Sequence, residues 1–75
     1  MITLHNGDHY TIAIERGGLG TLVTNKHSGR EVYLQGEESN VFLADYDKCA
    51  PCNSMVNQLC GQYNEVMQAP QKMAA

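Results

Sequence analysis

Seventy-five residues with eight acidic and five basic side chains carry a formal net charge of −3 and make one domain at most. No Lys/Arg cluster is present to neutralise phosphates, so direct nucleic-acid binding is not expected. No run of 18 apolar residues exists, so neither a transmembrane helix nor membrane association is expected. Met1-Ile2-Thr3-Leu4-His5 lacks the basic and apolar regions of a signal peptide. Three cysteines is an odd number, whereas small secreted scaffolds usually carry an even set. The expected location is therefore the reducing cytoplasm, with thiols as the default state.

The first half of the chain alternates between apolar and polar residues. Asn6-Gly7-Asp8, Gly17-Gly18 and Ser28-Gly29 supply glycines for the positive-φ positions of hairpins and divide it into strands near 2–5, 9–16, 19–26 and 30–35. Register follows from requiring one apolar face. A two-residue turn at Gly17-Gly18 sets Ile12 opposite Val23 and Ile14 opposite Thr21. A two-residue turn at Ser28-Gly29 sets Val23 beside Leu34 and Asn25 beside Val32. In the first hairpin, a two-residue Asn6-Gly7 loop throws Ile2 and Leu4 onto the wrong face. A three-residue loop, Asn6-Gly7-Asp8, instead pairs Ile2 with Ile12 and Leu4 with Tyr10, and is the expected one. The predicted core face is Ile2, Leu4, Tyr10, Ile12, Ile14, Val23, Val32 and Leu34. The opposite face, with Thr11, Ala13, Leu22, Thr24 and Tyr33, is less polar than a fully solvated one, so that face or an edge strand is a candidate homodimer surface.

At Gln35-Gly36-Glu37-Glu38 the period changes from 2 to 3.6. Gly36 is the expected N-cap of a helix from Glu37 to about Lys48, and its two first-turn glutamates suit the positive end of the helix dipole. Phe42, Leu43 and Tyr46 share one arc of that helix, while Glu37, Glu38 and Asp45 surround Val41 on the other side. Pro51 fits the first turn of a second helix. Its apolar stripe is Cys52, Met55, Val56, Leu59, Cys60, Tyr63, Val66 and Met67, and the pattern ends at Gln68-Ala69-Pro70. The predicted architecture is a single α+β domain over 1–68, an antiparallel β-meander of three to four strands followed by two helices on one face of the sheet. Residues 69–75 read as a flexible C-terminal tail.

Cys49-Ala50-Pro51-Cys52 is the segment most suggestive of chemistry. A thiol at a helix N-terminus is acidified, and the Cys-x-Pro-Cys order resembles the redox motif of thioredoxin-like proteins. Those proteins place it after a buried strand, whereas here it joins two helices. Cys52 and Cys60 are separated by roughly 12 Å along an intact helix, so they neither bridge nor share one tetrahedral ion. Structural thiols are the leading reading, with Cys49 and Cys52 as a candidate redox pair and no metal or cofactor expected. The expected three-residue loop sets His5 opposite His9 on the solvent side, with Asp8 adjacent; a pair of exposed turn-flanking residues is preferred there to a metal chelate. His27, beside Lys26 and Arg30, reads as a solvated turn residue. No nucleophile, base and orienting group assemble, so no catalytic residue is assigned and the protein is read as a non-enzyme.

Two surface features suggest a partner instead. The outer face of the second helix carries Asn53, Asn57, Gln58, Gln62, Asn64 and Gln68 with a single charge, Glu65, and amides both donate and accept hydrogen bonds. Glu37, Glu38 and Asp45 around Val41, with Asp47 nearby, suit a basic protein surface. The expected partner-binding residues are Glu37, Glu38, Val41, Asp45, Asn57, Gln58 and Asn64.

The run Arg30-Glu31-Val32-Tyr33-Leu34-Gln35-Gly36-Glu37-Glu38-Ser39-Asn40-Val41-Phe42-Leu43 resembles the strand, Gln-Gly-acidic turn and helix of small phage or prophage proteins. The resemblance covers under a quarter of the chain and includes no catalytic motif. It implies a β-meander followed by helices and a mobile-element origin. It also implies a protein-binding role as an inhibitor of a host enzyme or defence system, of the anti-CRISPR kind, acting by occlusion. Two other readings stay open: a thiol-dependent redox or metal-binding protein using Cys49 and Cys52, and a structural subunit of a phage complex.

Overall fold

The computed structural model describes residues 1–17, 20–50 and 52–69. Strands β1 (Ile2–Asn6), β2 (Tyr10–Ile14), β3 (Gly20–Asn25) and β4 (Glu31–Gln35) form an antiparallel sheet in the order β1-β2-β3-β4. Helices α1 (Gly36–Cys49) and α2 (Asn53–Gly61) follow, and a short 3-10 turn spans Asn64–Val66. The α+β meander with two helices is thus present as the alternation and the change of period predict. The parts of the expected turns and tail that fall on Gly18, Pro51 and residues 70–75 lie outside the described residues.

The central hairpin has the expected register, with Ile12 opposite Val23 and Ile14 opposite Thr21. The other two differ. In the third, Val23 pairs with Val32 and Thr21 with Leu34, two residues from the expected pairing. The Asn25 side chain explains the change. Its Oδ1 accepts from the backbone N–H groups of His27 and Ser28, and the N–H of Gly29 donates to the Asn25 carbonyl, which winds Lys26–Gly29 into a four-residue loop. A slip of two keeps the same side chains inward, so Val23 and Leu34 stay buried.

In the first hairpin Gly7 N–H donates to the Tyr10 carbonyl at 3.0 Å, leaving Asp8 and His9 at the tip. The loop is shorter than expected, and the chain restores the apolar face with a bulge between Thr3 and His5. Ile2 therefore pairs with Ile14, and His5 rather than Leu4 stands opposite Ile12. Ile2 and Leu4, expected in the core, are 50% and 38% exposed on the edge strand β1; α1 packs mainly on β3 and β4 and reaches β1 through Tyr46, which meets the His5 ring and donates to the Leu4 carbonyl at 3.4 Å.

Helix α1 follows Gln35, an extended N-cap residue, and Gly36 enters it at φ +58°; the expected cap is displaced by one residue because the turn out of β4 needs a left-handed position. Phe42 is fully buried, and the Thr21 and Ser39 hydroxyls meet at 2.6 Å in the interior. Helix α2 is shorter than its apolar stripe suggests. It ends at Gly61 because Asn64 is drawn to the sheet, accepting from Tyr10 Oη at 3.1 Å and from Asn25 Nδ2 at 3.1 Å. Past that tether Met67 is buried, and Gln68 exchanges two 2.8 Å backbone hydrogen bonds with Glu31 on the β4 edge. The core joins both layers: Tyr10, Ile12, Val23 and Leu34 against Phe42, Val56, Leu59, Cys60 and Met67.

Candidate functional site

The side chains around Val41 form a concave surface. Glu37 and Glu38 in the first turn of α1, Val41 one turn later and Tyr63 beyond α2 line a groove of about 360 Å³. Helical spacing puts Glu37, Glu38 and Val41 together. Tyr63 is brought to them by tertiary packing, its ring set edge-on to buried Phe42 at 5.5 Å. Partial burial and then the carboxylates of Asp45 and Glu38 push the Tyr63 hydroxyl above its usual pKa, which places negative charge at this groove. Val41 is 52% exposed within it, an uncovered apolar centre between acidic neighbours. Three of the expected partner-binding residues, Glu37, Glu38 and Val41, thus share one surface with Tyr63. On the helical wheel Tyr63 belongs to the α2 packing stripe, and nothing local reveals its second role.

Of the amide residues, Asn53, Gln58, Gln62, Asn64 and Gln68 are exposed and Asn57 is half-buried. Gln58 is exposed and lines a second depression of about 310 Å³ with Asp45, Lys48, Cys49 and Met55. Asn57 is half-buried with an unpartnered Oδ1, and Asn64 is the tether between β2, β3 and the end of α2. The second helix ends before Asn64, whose exposed side chain hydrogen-bonds to Tyr10 and Asn25.

Among the cysteines, Cys49 is half-buried at the end of α1, Cys52 is exposed as the N-cap residue of α2, and Cys60 is buried; all three are unbridged thiols. Cys52 N–H donates to the Cys49 carbonyl at 2.9 Å, an i to i+3 closure that keeps the two backbones within turn distance. Cys60 is on the packing stripe as its spacing predicts. Burial, with a smaller contribution from the nearby charge of Cys49, pushes its thiol up to about 11, so it stays protonated and unreactive at neutral pH. Among the described residues no group of three or more His, Cys, Asp or Glu side chains is placed to hold a metal ion.

The histidines are paired differently from the expectation. The short loop pairs His5 with buried Ile12 and so turns it toward the helices, where its ring meets Tyr46 edge-on at 5.9 Å and packs against Gly7, a position at which any Cβ would collide with the imidazole. His5 Nε2 is buried without a partner. His9 instead faces His27 across the two hairpin loops, Nδ1 to Nε2 at 2.6 Å. The expected His5–His9 juxtaposition is corrected by the register of β1.

On the outer sheet face Thr11, Ala13, Leu22 and Thr24 are half-buried and Tyr33 is exposed, its hydroxyl donating to Glu15 at 2.5 Å. No helix among the described residues is long and apolar enough to cross a membrane. Comparison with protein-family models, with curated proteins and with solved structures finds no match to this chain.

Proposed function

We propose that this is a non-catalytic binding module whose α1 groove docks a basic segment of a host protein and acts by occlusion, as an inhibitor of a host enzyme or defence system. The observation that carries this reading is the exposure of Val41 beside Tyr63 in a groove flanked by Glu37 and Glu38. An apolar centre bounded by like charges suits a partner with an aliphatic or aromatic anchor beside Lys or Arg. The anchor supplies desolvation energy, and the charges set orientation and association rate. The resemblance of residues 30–43 to small phage proteins points the same way.

The test is capture of partners from a bacterial lysate by the wild-type chain, by Val41→Asp, and by the triple variant Glu37→Lys, Glu38→Lys, Asp45→Lys. Glu37 and Glu38 are exposed and Asp45 is half-buried, and none belongs to the core cluster, so the fold of the triple variant, checked by circular dichroism, is expected to persist. Loss of the same captured protein in both variants supports the reading, and raised salt weakens that capture in the wild type. An unchanged partner set after charge reversal removes it.

A further inference from the structure

We propose that His9 and His27 form a two-imidazole binding site for a divalent d-block ion of the Ni(II) or Cu(II) class. The two residues are eighteen positions apart in sequence and come from different hairpin loops, which lie side by side because β2 and β3 are neighbours in the sheet. Their rings are exposed, with centroids 4.8 Å apart and planes inclined at 36°. The backbone beneath them is fixed at both positions. The His9 carbonyl accepts from Lys26 N–H at 2.8 Å, and the His27 N–H donates to Asn25 Oδ1 at 2.8 Å. Asn25 is itself tied to Asn64 beyond α2. The scaffold therefore holds two ring nitrogens against one another and leaves only side-chain torsions free.

Imidazole nitrogens bind such ions at about 2.0–2.1 Å. At that bond length a nitrogen pair spaced 2.6 Å apart subtends roughly 80° at the ion, close to the cis angle of about 90° in square-planar or octahedral coordination. Reaching a cis arrangement needs an opening of about 0.3 Å, whereas a tetrahedral angle needs about 0.7 Å. The spacing lies nearer the cis angle of Ni(II) or Cu(II) than the tetrahedral angle of zinc. In the empty state one imidazole donates to the other. On binding, the donating ring takes its other tautomer, its proton passing through water to its second nitrogen, and each exposed ring turns by roughly 45° so that the two lone pairs converge on the ion. Among the described residues no third His, Cys, Asp or Glu side chain completes a cluster here, so water fills the remaining positions and the site is an open, exchangeable one.

The experiment is titration of Ni(II) into the chain carrying Cys49→Ser and Cys52→Ser, which removes competition from the accessible thiols. Heat and the paramagnetic broadening of histidine ring signals are followed together. One ion per chain is expected, broadening His9 and His27 and sparing His5. His9→Gln and His27→Gln, each checked for an unchanged fold by circular dichroism, are each expected to weaken binding about tenfold or more, since loss of a ligand costs at least what loss of an outer-shell partner does. His5→Gln is expected to bind as the parent does. Equal affinity in His27→Gln, broadening centred on His5 or the N-terminus, or no binding at all would each overturn the site and leave a hydrogen bond alone.

Discussion

Two side-chain contacts in this molecule have the same length and opposite surroundings. Thr21 Oγ1 and Ser39 Oγ lie 2.6 Å apart in the interior, and His9 Nδ1 and His27 Nε2 lie 2.6 Å apart at the surface. The hydroxyl pair has no access to water; Thr21 and Ser39 are 0% and 1% exposed. Each hydroxyl depends on the other to satisfy it, so the pair fixes α1 against β3. The imidazoles can exchange one another for water at little cost. Their contact therefore adds little to stability, and the same nitrogens are available to a ligand. Distance alone does not separate a structural contact from a binding site; desolvation does.

Breaking the buried contact tests the stronger half of that comparison. Thr21→Val leaves the Ser39 hydroxyl unpartnered, and a loss of about 1–3 kcal/mol is expected by denaturant titration. Adding Ser39→Ala removes the stranded group, so the double variant is expected to lose less than the sum of the single losses. Additive losses would show that the hydroxyls act independently.

A middle-sized effect sharpens the role of burial itself. The folded Cys60 thiol has its pKa raised from about 9 to about 11, so the folded state keeps a proton that the unfolded state gives up. The stability contributed by the neutral thiol is complete below about pH 9 and is lost as pH rises toward about 11. Thermal melts across that window are expected to fall, and Cys60→Ala is expected to flatten the slope; an equal slope in the variant would assign the decline to other groups. The smallest effect belongs to the surface pair. His9→Gln and His27→Gln are each expected to change stability by less than about 0.5 kcal/mol in the absence of metal, measured by the same denaturant titration. A loss comparable to that of Thr21→Val would mean the loop contact is structural and would erase the contrast.

The regions of the chain differ in how much of this was legible in advance. Ile12 opposite Val23, buried Phe42 and the Val56, Leu59, Cys60 stripe follow from local periodicity, since a residue's face depends on its neighbours two or four positions away. Of the groove, Glu37, Glu38 and Val41 could be grouped from helical spacing, whereas Tyr63 could not, because it arrives from beyond the end of a different helix. The histidine pair was hidden for a similar reason. It depends on the two-residue Asp8-His9 tip, on the pairing of His9 with Lys26 and on the Asn25-capped loop, all settled by the balance of hydrogen bonds in the folded sheet.

The sequence by itself determined the α+β class, the meander, the change to helix after Gln35 and most of the residues that fill the core. Those features depend on apolar periodicity, which a two-residue slip of register does not disturb. The tertiary structure alone decided which histidines meet, where α2 stops and which aromatic ring joins the acidic groove. Each of those outcomes rests on contacts between residues eighteen or more positions apart, such as His9 with His27 and Tyr10 with Asn64. Their energies exist only once the sheet and the helices have come together.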